Sequence, residues 1–204
     1  MTRDEIVTWI REICGFRTDT DRDDVIRTHI VHAQQWLERM VDLPADFRKL
    51  YTFSTTGDEF DLPSDFLRRD GDILVVGTTM YHFRELVEFD KCEGSEVWTI
   101  KSSVAAGSGP GTPDKIALGI EDSSGLDKKF FYWCKADDLS TASTNWWTQN
   151  FPYLIGAMAG RMYAMTIEDQ NAVQQFERIE GEQKAAFTVY AVRTEIEDVQ
   201  LGGS

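Results

Sequence analysis

No run of eighteen or more apolar residues occurs in the sequence, so no transmembrane helix is expected. The first residues, Met1-Thr2-Arg3-Asp4-Glu5, turn charged at once and lack the apolar centre of a signal peptide. Cysteine is scarce. Cys14, Cys92 and Cys134 are an odd set without close pairing and read as reduced thiols in a cytosolic setting. Basic residues are outnumbered, 21 Lys and Arg against 35 Asp and Glu, for a net charge of −14. That balance argues against a nucleic-acid binder, which needs clustered cations to meet phosphates. The acids are spread along the chain rather than gathered in a tail.

What is present is enough apolar material for a core: 42% of the 204 residues are hydrophobic and 12% are aromatic. Thr2 and Glu5 stand at capping-box spacing, and Ile6, Trp9, Ile10 and Ile13 recur with helical period before Gly15. Asp19 to Asp23 leads into a second helix with Val25, Ile26, Ile30, Ala33, Trp36, Leu37 and Met40 on its buried side. A short loop between them predicts an antiparallel helical hairpin. From Leu50 the period shortens. Strands are expected at 50–54, 59–62, 73–76, 96–100, 115–120 and 129–134, with 50–54 and 59–62 as hairpin partners across Gly57-Asp58. The stretch 81–89 fits a short helix better than a strand. Ser102 to Pro113 reads as a mobile Gly/Ser/Pro-rich loop tip. Asn150 or Thr148 then caps a third helix with Pro152 in its first turn. In it Gly156, Gly160 and Ala164 stand four apart, a spacing that lets another helix approach closely. After a break at 166–170 a long last helix follows, with a Glu180–Lys184 pair at i,i+4.

The expected fold is therefore α+β: an α-helical bundle, made of the N-terminal hairpin and two C-terminal helices, with an inserted antiparallel β-rich region. The bundle takes residues 1–49 and 146–192, the insertion 50–145, and 193–204 is a flexible C-terminal tail. One six-residue pattern occurs twice, Asp42-Leu43-Pro44-Ala45-Asp46-Phe47 and Asp61-Leu62-Pro63-Ser64-Asp65-Phe66, and both copies read as Pro-bearing turns.

The search for chemistry yields little. Asp19–Asp23 imitates the start of a calcium loop, but Asp24 and Ile30 occupy the positions that need Gly and Glu. His29 and His32 face one helical turn without a third ligand, so no metal is assigned. Gly107–Gly111 lacks the Lys-Ser or Lys-Thr of a phosphate loop. Acid pairs such as Glu85 and Glu88 keep a small acidic-residue hydrolase open as an alternative, and the charge keeps open a monomeric DNA mimic that inhibits a host enzyme. The aromatics carry more. Adjacent Trp146 and Trp147 cannot both point inward from one regular element, so Trp146, Trp147 and Tyr153 are candidates for a subunit interface.

The order of these pieces resembles the head-to-tail adaptor (connector) proteins of tailed bacteriophages. The resemblance is carried by the short N-terminal helices and by the Leu-Pro-x-Asp-Phe turn at Leu62–Phe66 before the apolar strand Ile73–Val76. It is carried further by a β-insertion ending in an aromatic strand with Tyr132, a helix led by Pro152-Tyr153-Leu154, and a long charged final helix. It implies a virion structural protein without catalytic residues, cofactor or metal. Such a protein assembles in the host cytoplasm into a ring, usually dodecameric, at the neck beneath the portal. It joins the capsid to a tail, tail-completion or nozzle protein, and genome DNA passes through without specific binding. In that family the C-terminal segment reaches the portal, which makes Arg193, Thr194, Glu195, Ile196, Val199 and Leu201 the candidates for portal contact.

Overall fold

The computed structural model describes residues 1–16, 18, 20–40, 42–92, 94–102 and 114–201. Two compact units emerge. One comprises Met1–Phe47 with Lys135–Ser204, the other Arg48–Cys134.

The helical unit contains α1 (Arg3–Ile13), α2 (Asp23–Met40), a 3-10 turn (Ala45–Phe47), α4 (Trp146–Asn150), α5 (Pro152–Thr166) and α6 (Gln170–Leu201). The capping box of α1 forms as its spacing predicts: the Thr2 hydroxyl accepts from the Glu5 N–H, and Glu5 accepts from the Thr2 N–H. Ion pairs Arg11–Asp23 and Arg27–Asp4 link α1 to the first turns of α2, and their order runs backwards along α1 as it runs forwards along α2, the sense of an antiparallel hairpin. Helix α5 is buried almost all round, from Leu154 to Gly160 without interruption. The small-residue spacing is used by rings rather than by a neighbouring backbone. Gly156 receives the Trp9 ring of α1 and Gly160 the Phe176 ring of α6.

The sheet unit holds β1 (Arg48–Phe53), β2 (Gly57–Asp61), β3 (Phe66–Arg69), β4 (Ile73–Val76), β5 (Thr79–Phe83), α3 (Leu86–Phe89), β6 (Val97–Lys101), β7 (Lys115–Asp122) and β8 (Lys128–Cys134). The strand order is β1-β8-β4-β5-β6-β7-β2, with β3 also on β8.

The expectation of a helical bundle carrying an antiparallel insertion is corrected here. Among the described residues the chain is α+β with six helices and one eight-stranded, curled, mixed sheet whose strands fill the middle of the sequence. The sheet is mixed because β5 and β6 run parallel, His82 opposite Val97 and Phe83 opposite Trp98. A parallel pair needs a crossover of about a dozen residues, and the segment 84–96 with α3 supplies it. The stretch 81–89 thus closes a strand and then forms a helical turn. Strands β1 and β2 are not hairpin partners. β1 pairs with β8 and β2 with β7. Nothing local in the sequence encodes partners that far apart.

The boundaries also differ from those read along the chain. Segment 135–145 belongs to the helical unit, where α2 holds it through side chains. Gln34 Nε2 donates to the carbonyls of Ala136 (3.3 Å) and Asp137 (3.1 Å), and the Leu139 N–H donates back to Gln34 Oε1 at 3.2 Å. At the other end, 193–201 continues α6 instead of leaving it as a loose tail. The Gly-rich loop of 103–113 and residues 202–204 lie outside the described residues.

Candidate functional site

The strongest surface feature of the helical unit is on α6. Its buried residues are Ala172, Val173, Phe176, Glu180, Phe187 and Ala191. Across the helix from Phe187 and Ala191, the exposed residues Ala185, Val189, Val192 and Ile196 follow one another at spacings of four, three and four. Val189 is 71% exposed and Ile196 54%. That spacing is the seam pattern by which one helix meets another. The helix is apolar on two sides, one spent on its own unit and one left facing solvent. Beside the seam runs a groove of about 300 Å³ lined by Asp42, Lys184, Phe187, Ala191, Val192 and Glu195.

Of the C-terminal candidates, Ile196 lies in this seam and Arg193 and Glu195 flank it, all exposed. Thr194 is turned partly inward, and its hydroxyl accepts from the Ala45 N–H at 3.3 Å. Val199 continues the seam spacing within α6; its side chain, like that of Leu201, lies outside the described residues.

The three aromatic candidates separate. Trp147 is fully buried, its Nε1–H donating to Glu38 Oε1 at 3.2 Å and its ring 5.4 Å from Phe187. It offers no surface and is removed from the interface set. Trp146 is half-buried among Phe47 (4.7 Å), Phe151 (5.7 Å) and Tyr190 (6.0 Å). Both tryptophans point inward because α4 is a five-residue turn between a strap and α5, and its two sides meet different parts of one unit. Tyr153 is 45% exposed, with its ring edge on Trp9 at 5.4 Å.

The repeated hexapeptide recurs as a structure. In each copy the Phe N–H donates to the Pro carbonyl, Phe47 to Pro44 at 3.0 Å and Phe66 to Pro63 at 2.9 Å. In each copy the Asp accepts a distant tyrosine hydroxyl, Asp46 from Tyr190 at 2.7 Å and Asp65 from Tyr132 at 2.8 Å. Lys49 also donates to Asp65, at 2.7 Å. Burial raises the Asp65 carboxyl, but the Lys49 and Tyr132 bonds outweigh it and hold the group below the ordinary carboxylate range. Two pieces on which the resemblance rests, the Leu62–Phe66 turn and the Tyr132 strand, are therefore bonded to each other.

No family model and no curated protein matches the chain.

Among the described residues no group of three or more His, Cys, Asp or Glu could hold a metal ion, and no helix is long and apolar enough to cross a membrane. His29 and His32 stand with ring centroids 6.3 Å apart, and burial followed by the neighbouring imidazole lowers the pKa of His29. Asp23 of the calcium-like stretch sits in the first turn of α2 on Arg11; Asp19 lies outside the described residues. Glu85 and Glu88 are both exposed around α3. The three cysteines are free thiols. Burial, with Asp169 adding to it, pushes the Cys14 thiol up to about 11, and burial also raises Cys134. Neither is poised as a thiolate.

Two buried polar centres escaped the sequence reading. Lys128 is wholly buried in the sheet unit, donating to Asp122, to the carbonyl of Thr55 (2.7 Å) and to that of Leu126 (3.1 Å), with its ammonium 4.7 Å from the Phe60 ring centre. The Lys128 bond, then the Ser124 bonds, hold the Asp122 carboxyl well below the carboxylate range. In the helical unit Glu38 Oε1 accepts from Gln34, the Ala136 N–H and Trp147. Lysine and glutamate are ordinarily read as surface residues. The only signal for Lys128 was its place in the alternation of β8, where it falls in step with Phe130 and Tyr132.

Proposed function

We propose that this protein is a ring-forming head-to-tail adaptor of a tailed bacteriophage virion, acting by shape at the neck between portal and tail. The observation that carries the reading is the doubly apolar α6, whose outer seam of Ala185, Val189, Val192 and Ile196 is built to receive a second helical surface. Arg193, Glu195, Ile196 and Val199 lie on or beside that seam, which supports the C-terminal stretch as the element offered to the portal. The resemblance in element order supports the reading, as does the Asp65–Tyr132 bond that ties its turn to its aromatic strand. The acidic balance of −14 suits a conduit wall past which DNA slides without being gripped. The reaction class is none: the protein holds partners in place.

The test is sizing of the protein alone and with the portal protein of the same phage. A ring is expected with the portal. Replacing Val192 and Ile196 together by Asp is expected to abolish that complex while leaving the circular dichroism of the chain unchanged. Portal binding that survives both this change and deletion of 193–204 would overturn the assignment of the segment. Electron micrographs of particles without the protein at the neck would overturn the function.

A further inference from the structure

The outer face of the sheet carries a surface unlike the rest of this acidic chain. Strand β8 alternates strictly, with Lys128, Phe130, Tyr132 and Cys134 buried and Lys129, Phe131 and Trp133 turned the other way. The register extends that outer row. Leu50 lies opposite Phe131, Thr52 opposite Lys129, Val75 opposite both Lys129 and Met80, and Ile73 opposite His82. Leu50, Phe131, Ile73 and Met80 are all exposed large apolar side chains. Cations border them. The Arg48 guanidinium lies 4.5 Å from the Phe131 ring centre and Arg68 lies 5.7 Å from that of Trp133, while Lys129 is exposed at the other end of β8. Asp70 is the acid at this edge, and it is engaged by Arg48 at 2.5 Å. The face is an apolar centre with a cationic border.

The helical unit carries the opposite surface. Along the outside of α1 runs a groove of about 470 Å³ lined by Met1, Asp4, Glu5, Thr8, Trp9 and Glu12. Trp9 and the exposed Tyr153 meet edge to face there, giving an aromatic patch among acids. Asp4 is met within the unit by Arg27 at 3.1 Å and by Arg3 at 3.7 Å, and Arg11 is turned onto Asp23, so Glu5 and Glu12 are the acids that face a partner.

We infer that the sheet face of one copy docks on the α1 groove of the next. The occupant is a second copy of this chain because both halves of a matched pair are present once per molecule, apolar centre to aromatic patch and cations to acids. Pairing the sheet face with itself would set Lys129 and Arg68 against their own kind. The contact is therefore head-to-tail, the class that closes into rings. The inference rests on the ring reading above and adds to it the two faces that make the ring.

The experiment uses the full chain with the portal protein of the same phage, in a Cys92→Ser background, since Cys14 and Cys134 are buried. A chain carrying both Glu12→Cys and Lys129→Cys is expected to oxidise into a ladder of covalent multimers, whereas each single variant, with no thiol facing its own, is expected to stay uncrosslinked. Without added cysteines, Lys129→Glu is expected to weaken self-association roughly tenfold. Adding Glu12→Lys, which also suits the negative end of α1, is expected to restore it. A ring that forms without the ladder overturns the assigned faces and leaves the ring reading standing. Self-association that Lys129→Glu leaves untouched overturns the charge match that chose the partner. A chain that stays monomeric with the portal overturns both.

Discussion

Adding a single methyl group at three helical glycines separates close approach from simple flexibility. Gly181 of α6 has nothing within 4 Å of the position a Cβ would take. Gly181→Ala removes backbone freedom from the unfolded chain and is expected to stabilise by about 0.5–1 kcal/mol. Gly160 gains the same propensity but meets a ring, because its Cβ would sit 2.5 Å from Phe176 Cζ. Phe176 is fully buried and rests edge-on against Trp9 at 5.8 Å. Trp9 in turn would lie 2.9 Å from a Cβ at Gly156. The ring cannot retreat without moving a second ring that is itself confined. Overfilling a core of this kind costs about 1–3 kcal/mol. Set against a propensity gain of about 1 kcal/mol, Gly160→Ala is expected to destabilise by up to about 2 kcal/mol. Gly156→Ala should cost less when Gly160 has already been changed, since both substitutions push on the same pair of rings. Denaturant unfolding followed by tryptophan fluorescence and circular dichroism, with unchanged slope, reads these differences. If Gly160→Ala proves as stabilising as Gly181→Ala, the close approach of α5 and α6 is wrong.

Other consequences are equally direct. Burial raises the Glu38 pKa, so the fold favours the protonated acid, and stability is lost as pH rises through and above the ordinary carboxylate range. Glu38→Gln keeps the acceptor and is expected to gain on wild type at pH 7 relative to pH 4.5 in paired denaturation curves; a gain on the acid side instead would refute the burial argument. Glu38→Ala, which strands three donors, is expected to cost about 3 kcal/mol at either pH. Tyr132→Phe and Asp65→Asn are each expected to cost about 1 kcal/mol, and the double variant little more than either, as a double-mutant cycle would register. Asp65 has a depressed pKa, so its contribution is present above the ordinary carboxylate range and fades as pH falls through the folded value. Lys128→Met leaves Asp122 buried and unpaired and is expected to lower the unfolding midpoint sharply, with Asp122→Asn in the same chain recovering part of the loss.

The helices were legible because their signals are local. Thr2 with Glu5 starts α1, Pro152 opens α5, and the break at 166–170 separates α5 from α6, with Glu168 at a positive φ of 58°. The two Pro-bearing turns were legible for the same reason. Strand partners were not, since β1 finds β8 through side chains that line one row only after the sheet has formed. The crossover at 84–96 hid a parallel pair behind a segment whose apolar residues suit either period. On the candidate surfaces, Ile196 and Tyr153 were reachable from sequence and Trp147 misled, because adjacency excludes a shared inward direction only within a long regular element. Val189 and Val192 were overlooked, although their spacing with Ala185 and Ile196 was written in the chain. A helix apolar on two sides lacks the polar face that normally announces which side is buried.

Arg48 opens the sheet unit and lies in register opposite Trp133, one residue before that unit ends. The chain thus leaves the helices and returns to them through one antiparallel rung. Insertions and deletions beyond that rung leave the sequence of the helical unit whole, which makes the sheet a candidate for exchange as a cassette. A chain with a short turn joining Phe47 to Lys135, expressed and followed by circular dichroism, would read whether the helices fold without the sheet.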